Sequence, residues 1–233
     1  MAHILLTGAS RGIGAAARIA LQQAGHTVIG QSTAGGDGLI AADFAQPGAG
    51  DTLWEQALAR AGGRIDVLVN NAGVFEAADI EDADAFAGSW ARSIAINLQS
   101  AADLSRHAVL HFQQHGGGRI INVASRAGHR GDSPKHWHYA AAKGGMLAMT
   151  KTIARGYAAQ NILAFAITPG FTMTGMAEEY LASRGGDKLL ADIPLGRVAG
   201  AEEVAEAIRW LASEAPASLT GATIDINGAS YVR

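Results

Sequence analysis

Gly8-Ala9-Ser10-Arg11-Gly12-Ile13-Gly14 is a glycine-rich loop that separates two segments of different periodicity. The short apolar run before it, residues 3–7, is typical of a β-strand, whereas small and apolar side chains recur at helical spacing after it. Gly8 permits a tight turn, Gly12 lets the backbone approach an anion, and Gly14 lets the helix pack closely on the sheet. Strand, loop and helix N-terminus together predict a binding site for the pyrophosphate of a dinucleotide. A glycine-rich turn that binds no ligand is the alternative.

The second predicted strand, residues 27–31, bears on which dinucleotide is bound. Folds that bind NAD commonly carry an acidic residue at the end of this strand, where it holds the ribose hydroxyls. Gln31 and Ser32 stand there instead, so that no carboxylate repels the 2′-phosphate of NADP(H). Arg11 in the glycine-rich loop adds a positive charge for the same phosphate. Both features favour NADP(H); the alternative is that Arg11 is a solvated surface residue.

Strand-like and helix-like segments alternate along the rest of the chain. Further strands are predicted at residues 38–42, 66–69, 118–124, 162–168 and 222–226. Helices are predicted between them, including one that Asp51 caps, a long one over residues 84–115, and one that begins at Ala201. This alternation predicts an α/β fold, a Rossmann-type doubly wound parallel sheet with helices on both faces. No linker or internal repeat is evident, so we expect residues 1–233 to form a single domain.

Composition and charge exclude several classes of protein. The chain has 233 residues and no cysteine, so it has neither disulfides nor thiolate metal sites. Its formal net charge of -3 does not favour nucleic acid or an anionic membrane as a partner. The N-terminus lacks the basic start and long apolar stretch of a signal peptide, and no segment approaches the roughly 20 apolar residues of a membrane span. We therefore expect a cytoplasmic protein.

Three further motifs follow predicted strands. Asp43 and Phe44 follow the third strand and are expected to border an adenine ring. Asn70-Asn71-Ala72-Gly73 follows the fourth strand, and Pro169-Gly170 follows the strand at residues 162–168. In doubly wound sheets, ligands bind at the carboxyl ends of the strands. All of these residues are therefore expected at the same edge of the sheet as the glycine-rich loop.

A candidate acid lies in the segment Tyr139-Ala140-Ala141-Ala142-Lys143, which is preceded by Ser125 and Asn97. Residues four apart lie on the same face of a helix, one turn from each other. The ordinary pKa of tyrosine, about 10, makes it a poor acid at neutral pH, and a neighbouring ammonium favours the phenolate. We therefore expect Lys143 to lower the pKa of Tyr139. On its own this spacing is weak evidence, because helix surfaces contain it often.

Two loops are expected to shape a substrate site. Residues 126–137 are polar, include His129, Arg130 and His136, and are expected to form its mouth. Residues 175–193 form a long and less regular insertion after a strand, which makes them a candidate lid.

Three histidines recur at four-residue spacing on the predicted helix over residues 84–115. They are His107, His111 and His115. Two such histidines can chelate a metal ion, but no acidic or third ligand is evident near them. A solvated or subunit-facing row of histidines is the favoured interpretation, and no metal site is expected.

Taken together, these motifs resemble the short-chain dehydrogenase/reductase family over essentially the whole chain. The matching motifs, in the family's order, are residues 7–14, Asn70-Asn71-Ala72-Gly73, Asn97, Ser125, the pair Tyr139 and Lys143, and Pro169-Gly170. Six motifs in register are far more specific than any one of them. The resemblance implies a sheet of about seven strands, a homotetramer or homodimer, and a small-molecule carbonyl or alcohol substrate.

The resemblance also implies roles for individual residues. Tyr139 would exchange a proton with the substrate oxygen, and Ser125 would hydrogen-bond that oxygen. Lys143 would bind the nicotinamide ribose and lower the pKa of Tyr139, while Asn97 would hold a water that connects Lys143 to solvent. The cofactor-binding residues expected from the motifs and the resemblance are Gly8, Ser10, Arg11, Gly12, Ile13, Gly14, Gln31, Ser32, Asp43, Phe44, Asn70, Ala72, Gly73, Tyr139, Lys143, Pro169, Gly170, Thr172 beside the carboxamide, and Thr174 near the pyrophosphate.

Within the family, the sequence is similar to the 3-oxoacyl-acyl-carrier-protein reductases. The basic residues with which members of that group dock the carrier protein correspond to Gly116 and Gln160 here, so Arg119 or Arg155 would have to replace them. An NADP(H)-dependent carbonyl reductase is therefore the expected function. The alternatives are a sugar, steroid or other alcohol dehydrogenase of the same family, and a catalytically silent NADP-binding regulator.

Overall fold

Nine strands occur in the computed structural model, which describes residues 1–173 and 186–233, with the backbone alone for residues 187–189. They are β1 (His3–Leu6), β2 (Thr27–Ser32), β3 (Ile40–Ala41), β4 (Val67–Asn70), β5 (Gly118–Val123), β6 (Ile162–Pro169), β7 (Thr172–Met173), β8 (Ala199–Gly200) and β9 (Thr223–Ile226). Seven of them form one sheet in the order β3-β2-β1-β4-β5-β6-β9, in which every neighbouring pair is parallel. β7 and β8 pair with each other outside that sheet.

Helices connect the strands on both faces of the sheet. Those of the described residues are α1 (Gly12–Gln23), α2 (Ala49–Arg60), α3 (Ala83–Ile94), α4 (Ser100–Gln114), α5 (Ala127–Arg130), α6 (Trp137–Tyr157), α7 (Gly186–Ala191) and α8 (Ala201–Ser213). A π-helical segment, Ala95–Gln99, joins α3 to α4, and short 3-10 turns cover Ala158–Gln160 and Ala217–Leu219. In the part of the chain that the structure describes, no helix is long and apolar enough to cross a bilayer.

Alternate side chains of the central strands pack into hydrophobic cores on opposite faces of the sheet, because successive residues of a strand point to opposite faces. Leu5 of β1 points to one face, where it belongs to a core with Phe112 of α4 and with residues of α2 and α6. Its neighbour Ile4 points to the other face and belongs to a core with Leu21 of α1 and Ile208 of α8. This arrangement confirms the predicted α/β fold with a doubly wound parallel sheet, and the predicted strands lie within two residues of the observed ones.

The order of the strands reverses next to β1, which pairs with β2 on one side and with β4 on the other. The loops that follow β1 and β4 therefore leave the sheet side by side and open a crevice at its carboxyl edge. In sheets of this kind, ligands bind in that crevice. The glycine-rich loop and Asn70-Asn71-Ala72-Gly73 flank it.

The helix predicted over residues 84–115 is interrupted. α3 and α4 are separated by the π-helical segment, in which Asn97 lies. A π-helical turn holds more residues than an α-helical one and often marks a functional position. Here the Asn97 side chain is fully buried and bonds the Val74 peptide, whereas an ordinary surface helix would leave it exposed.

The prediction that Asp51 caps a helix is wrong. α2 begins at Ala49, and Gly48, with a positive φ of 77°, precedes it. The Asp51 carboxylate lies in the first turn, where an acidic group is favourable, and its Oδ1 is 2.6 Å from Nε2 of His107. Asp51 therefore ties α2 to α4.

The interpretation of the histidine row as solvated or subunit-facing is also wrong for its middle member, His111. The His107 ring stacks on Trp54 of α2 at 5.8 Å, and the buried His111 ring packs against the same tryptophan. His111 Nε2 accepts a hydrogen bond from the backbone of Ile65 at 3.2 Å, and only His115 is exposed. Within residues 1–173 and 186–233, no group of three or more histidine or acidic side chains is arranged to hold a metal ion.

Candidate active site

The glycine-rich loop adopts a conformation that only glycine accepts without strain. Gly8 and Gly12 have φ values of 66° and 53°, in the left-handed region. A Cβ on Gly14 would collide with the carbonyl oxygen of Gly8 and would lie 2.7 Å from Nδ2 of Asn71. α1 is therefore packed against the loop so closely that a side chain at its third residue has no room.

Side-chain hydrogen bonds lock the loop after β1 to the loop after β4. Thr7 Oγ1 accepts from the backbone amides of Asn71 and Ala72 at 2.9 and 3.0 Å. In return, Asn71 Nδ2 donates to the carbonyl oxygens of Thr7 and Gly8 at 3.0 and 3.2 Å. Sequence reasoning missed Thr7 as a scaffold residue, although it stands at the predicted end of β1.

The first turn of α1 fits an anion such as a pyrophosphate. It has no acidic residue, and no side chain caps its free backbone amides. A helix N-terminus carries a partial positive charge, and Gly12, without a side chain, leaves the approach open. Arg11 and Ser10 are exposed at this turn. In the described residues, the Arg11 guanidinium makes no hydrogen bond or ion pair with the chain.

Gln31 and Ser32 contact the chain itself rather than facing open solvent. Gln31 is 2% exposed, its Oε1 accepts from the Gly8 amide at 2.8 Å, and its Nε2 donates to the Ala42 carbonyl at 2.7 Å. Ser32 Oγ accepts from the Gly35 amide at 3.0 Å. Both residues therefore shape the loops next to the crevice, and their contact with a cofactor stays a prediction.

Two arginines that sequence reasoning missed lie near the loop that follows β2. Arg60 Nη1 donates to the Gly38 carbonyl at 2.8 Å, and Arg18 Nη2 lies 3.4 Å from the Asp37 carbonyl. They add positive charge on the side of the sheet where a 2′-phosphate is expected. Neither stands in a motif, so only the folded chain brings them to this loop.

Asp43, Phe44 and Asn70 lie at the expected edge, but their side chains are already engaged. Asp43 Oδ1 accepts from the Ala45 amide at 3.0 Å, and Phe44 is buried in a hydrophobic core. Asn70 Nδ2 donates to Asn122 Oδ1 at 2.8 Å, inside the protein. For Phe44 and Asn70, mainly the backbone is left to contact a cofactor.

A buried chain of polar side chains starts from Asn70 and was missed by sequence reasoning. Asn122 of β5 receives a hydrogen bond from Asn70, and its Nδ2 donates to Thr150 Oγ1 of α6 at 2.8 Å. Thr150 in turn donates to the Met146 carbonyl at 2.8 Å. Buried polar groups need such partners, so this chain fixes α6 relative to β4 and β5. Asn122 interrupts the apolar run of β5, and that interruption was the available signal.

Asn97 and Lys143 meet beside Gly73. A Cβ on Gly73 would lie 2.8 Å from Asn97 Oδ1 and 3.6 Å from Lys143 Nζ. Asn97 Oδ1 accepts from the Val74 amide at 2.9 Å, and its Nδ2 donates to the Val74 carbonyl at 3.0 Å. These bonds leave one lone pair of Oδ1 for a further donor. The absence of a side chain at Gly73 thus creates the space in which the two groups approach each other.

Lys143 is 3% exposed and carries its amine to the end of β5. Its Nζ donates to the Val123 carbonyl at 2.8 Å and lies 5.9 Å from the centre of the Tyr139 ring. Burial lowers the pKa of Lys143 to about 8, because the charged form loses its solvation.

Ser125 and Tyr139 are neighbours in the site. The buried Ser125 Oγ accepts from the Ala127 amide at 3.1 Å. Burial raises the pKa of Tyr139, and the nearby Ser125 hydroxyl opposes that rise. The expected lowering of the Tyr139 pKa by Lys143 is wrong for this structure, because the loss of solvation dominates the shift.

Pro169, Gly170 and Thr172 complete the edge of the sheet. A Cβ on Gly170 would lie 2.9 Å from the backbone of Asn227, so no side chain fits there. The Pro169 carbonyl accepts from the Arg126 amide at 3.1 Å, and Thr172 is buried with its hydroxyl 3.2 Å from the Gly170 carbonyl. Thr174 and residues 175–185 of the candidate lid lie outside the described residues.

An aromatic wall stands next to Tyr139. The Phe75 ring stacks on His136 with centroids 3.8 Å apart and meets the Tyr139 ring edge-on at 4.9 Å. His136 Nδ1 lies 2.7 Å from Ser133 Oγ. Sequence reasoning predicted that the loop of His136 shapes the site but missed Phe75, whose only signal was its position two residues after Gly73.

The structure thus brings the four predicted catalytic residues, Asn97, Ser125, Tyr139 and Lys143, to one end of the crevice. A phenol and a hydroxyl that lie near each other can hold one carbonyl or alcohol oxygen between them. A buried amine and a buried amide stand behind the phenol. The glycine-rich loop and the N-terminus of α1 border the same crevice.

Known proteins of similar sequence match nearly the whole chain. A family model described as Enoyl-(Acyl carrier protein) reductase matches residues 8–229. The chain is 34% identical over 244 residues to the 3-oxoacyl-[acyl-carrier-protein] reductase FabG of Escherichia coli (strain K12). The aligned region covers 98% of this chain and 96% of that protein. It is 36% identical over 241 residues to the protein of the same name from Thermotoga maritima, with 96% and 95% covered. It is 34% identical over 238 residues to an acetoacetyl-CoA reductase of Rhizobium meliloti, with 97% of both chains covered.

Proposed function

Because the chain belongs to the short-chain dehydrogenase/reductase family, and is therefore an oxidoreductase, we propose that it reduces a carbonyl group to an alcohol with NADP(H). The observation that carries this proposal is that the Ser125 hydroxyl and the Tyr139 phenol come together at the end of the crevice, with Lys143 buried behind them. These are the groups that a carbonyl oxygen needs when it gains negative charge.

Tyr139 is the proposed proton donor. When bound, NADPH supplies a hydride to the carbonyl carbon. Tyr139 gives its phenolic proton to the carbonyl oxygen, and Ser125 holds the same oxygen with its hydroxyl. Because burial raises the pKa of Tyr139, the phenol stays protonated at neutral pH and is ready to act as an acid. This state suits reduction of a carbonyl, whereas oxidation of an alcohol would need the phenolate.

Lys143 and Asn97 are proposed to return a proton to Tyr139 after each turnover. The pKa of Lys143, about 8, lies close enough to neutral pH for its ammonium to lose and regain a proton. Asn97 Oδ1 lies beside it across the space at Gly73 and keeps one lone pair for a water molecule. Lys143 is also the residue proposed to bind the nicotinamide ribose.

The preference for NADP(H) over NAD(H) is supported by charge. Arg11 is exposed next to the glycine-rich loop, and Arg18 and Arg60 lie along the loop after β2. Among the described residues, no acidic side chain hydrogen-bonds these three arginines. The pyrophosphate itself is proposed to bind the N-terminus of α1, with Thr172 and Gly170 at the opposite end of the cofactor.

The names of the relatives support a 3-oxoacyl thioester as one substrate class, since they are reductases of 3-oxoacyl carrier proteins and of acetoacetyl-CoA. Docking of a carrier protein is weakly supported by the chain itself. Arg119 is one of two candidates for that contact. Its Nη1 donates to the carbonyl oxygens of Leu211 and Ala215 at 2.8 and 2.9 Å, so its hydrogen bonds stabilise the fold. Arg155 is exposed. A sugar, steroid or other alcohol dehydrogenase is the alternative within the family.

We also propose, from the family, that the protein is a single-domain subunit of a cytoplasmic homotetramer or homodimer. Leu110 is exposed on α4, where an apolar side chain gains from being covered. Sedimentation equilibrium measures the assembly directly, and a monomer at micromolar concentration would contradict this part of the proposal.

The substitution Tyr139→Phe tests the proposed reaction. It removes only the phenolic oxygen, so NADPH binding should stay within about twofold while kcat falls by about a hundredfold or more, as expected for loss of a general acid. The oxidation of NADPH by a panel of carbonyl compounds, followed at 340 nm, measures kcat. Tyr157→Phe at the far end of α6 is the matched control and should turn over normally. Normal turnover of Tyr139→Phe would remove Tyr139 from this role, and binding of NADPH by a wild-type protein that reduces no carbonyl compound would support the silent regulator.

A further inference from the structure

Two arginines at the two ends of α5, the short helix after Ser125, share a single carboxylate. Arg126 Nη1 lies 3.3 Å and Arg130 Nη2 lies 3.1 Å from the same oxygen, Oδ2 of Asp192. The Arg126 side chain is only 12% exposed, whereas Asp192 is about half exposed. Each guanidinium has five N–H donors, so this cluster holds far more donors than one carboxylate oxygen can accept.

A purely structural ion pair would need only one of these arginines. Arg130 already fastens α5 to the C-terminal segment, because its Nη1 donates to the Ser230 carbonyl at 2.8 Å, and it contacts Asp192 as well. Adding Arg126 to the same oxygen brings two like charges together. Burial and the neighbouring Arg130 both lower the pKa of Arg126, which shows that its charge is held at a cost.

The nearest other carboxylate is engaged elsewhere. Asp132 attracts Arg126 only at longer range. Its Oδ1 accepts from the Ser133 amide at 2.7 Å and lies 3.9 Å from His136 Nδ1. In the described residues, the side-chain polar atoms that are both fully buried and unpaired belong to Asn70, His129 and His138, and none belongs to Arg126. The nitrogens of Arg126 that make no bond to the protein are therefore in contact with water. They are therefore available to a ligand.

The position of Arg126 ties these donors to the reacting group. Arg126 directly follows Ser125, and adjacent Cα atoms are about 3.8 Å apart. Its amide is anchored to the Pro169 carbonyl at the edge of the crevice. An anionic group bound by Arg126 would therefore lie on the same loop that carries Ser125. Arginine suits such a group, since its fork binds carboxylate and phosphate with two parallel hydrogen bonds.

We propose that Arg126 and Arg130 form an anion-binding subsite and that the substrate is a carbonyl compound with a carboxylate or phosphate a few atoms from the reacting carbon. This inference rests on the proposed carbonyl reduction and names its substrate class. Asp192 occupies the subsite in the free protein as a resident counter-ion. The substrate anion joins or replaces it on the Arg126 donors that face water.

Matched pairs of substrates test this subsite. NADPH oxidation is measured with 3-oxobutanoate and its methyl ester, and with dihydroxyacetone phosphate and dihydroxyacetone. Wild-type protein should use the anion of at least one pair with a kcat/KM about tenfold or more above its neutral partner, the size expected for charged hydrogen bonds. Arg126→Gln should remove that preference and leave the neutral partner within about threefold. Arg106→Gln, an exposed arginine of α4, should change neither. The pair that shows the preference distinguishes a carboxylate from a phosphate.

The opposite results are equally clear. Equal use of anion and neutral partner by the wild type, or an equal loss of both in Arg126→Gln, would overturn the subsite. A third pair, acetoacetyl-CoA and the neutral acetoacetyl-N-acetylcysteamine thioester, places the charge far from the carbonyl. A preference confined to this pair would show that no anion is read near the carbonyl and would also overturn it.

Direct binding separates this inference from the proposed reaction. If no carbonyl compound is reduced, the proposed function fails. Calorimetric titration with 3-oxobutanoate and with inorganic phosphate then measures whether the subsite binds an anion at all. Binding of either anion to the wild type that Arg126→Gln weakens by about tenfold would support the subsite without the reaction. No difference between the two proteins would overturn it.

Discussion

The two halves of the crevice differ in how their polar groups are satisfied. In the cofactor half, Thr7, Asn71 and Gln31 bond backbone groups of neighbouring loops, and glycines stand where no side chain fits. In the substrate half, both ring nitrogens of His138 are buried without a partner among the described residues, and two arginines share one carboxylate oxygen. The cofactor half keeps its free donors at the N-terminus of α1 and on Arg11, and its loops are otherwise held by their own bonds. The substrate half keeps unused hydrogen-bonding capacity on buried side chains.

This difference indicates where specificity resides. A dinucleotide presents the same phosphates and riboses in every turnover, so a rigid backbone cradle can be completed in advance. A substrate must be recognised by side chains that keep donors free for it, and such free donors reduce stability. Substitutions should therefore lower the free energy of unfolding strongly in the cofactor half and only slightly in the substrate half.

The largest effect is expected for Gly14→Ala in the cofactor half. The added Cβ collides with the backbone oxygen of Gly8, which cannot move without opening the turn. The free energy of unfolding should fall by about 3 kcal/mol or more, and binding of NADPH should be lost with the loop. Urea unfolding followed by circular dichroism measures the first quantity.

Gly156→Ala is the matched control for that substitution. Gly156 also lies in a helix, α6, but nothing lies within 4 Å of the position of its Cβ. Alanine is the better helix former, so this variant should gain about 0.5–1 kcal/mol. A Gly14→Ala protein as stable as wild type would show that the close packing of α1 on the loop is not required.

Thr7→Val should have the next largest effect. Valine keeps the shape of threonine but removes the oxygen that accepts from the amides of Asn71 and Ala72. Two donors without a partner should lower the free energy of unfolding by about 2 kcal/mol. Thr152→Val, on the exposed face of α6, should change it by less than about 0.5 kcal/mol. If the free energy of unfolding falls by the same amount in both variants, the hydrogen bonds of Thr7 between the two loops do not stabilise the protein more than a surface threonine does.

The smallest effect is expected for His138→Leu in the substrate half. His138 is 1% exposed and forms no hydrogen bond with the described residues, so an apolar side chain should leave stability unchanged or raise it by about 1 kcal/mol. Burial lowers the pKa of His138 below 6.5 in the folded protein. The unfolded chain therefore binds a proton that the folded chain does not, and the wild type loses stability as the pH falls below about 6.5.

Unfolding in urea at pH 7.5 and at pH 5.5 tests this expectation. The advantage of His138→Leu should grow by up to about 1 kcal/mol at the lower pH. A variant that is clearly less stable than wild type at pH 7.5 would mean that the His138 ring has a structural role, and the contrast between the two halves would weaken.

The cofactor half was predictable because its chemistry depends on the backbone. A loop that needs positive φ values and close approach requires glycine, so Gly8, Gly12 and Gly14 can be identified in the sequence. Strand periodicity then placed the loops after β1 and β4 at one edge of the sheet. The Tyr139 and Lys143 spacing was predictable for the same reason, since a helix repeats regularly.

The other features depend on contacts that no local pattern encodes. The π-helical turn that buries Asn97 breaks the regular helix predicted there, and the buried Gln31 holds the Gly8 turn although its position indicated only cofactor choice. The direction of the Tyr139 pKa shift depends on burial, which residue spacing does not give. The shared carboxylate of Arg126 and Arg130 joins residues more than 60 positions apart in sequence.

The most direct test of the central claim, that this crevice binds NADP(H) for carbonyl reduction, is a titration of the protein with NADPH and with NADH, followed by quenching of tryptophan fluorescence. We predict that NADPH binds about tenfold or more tightly than NADH, that Arg11→Ala removes most of this difference, and that Arg106→Ala keeps it. Tighter binding of NADH would contradict the cofactor assignment and favour an alcohol or sugar dehydrogenase. No binding of either nucleotide would contradict the account of the crevice as a whole.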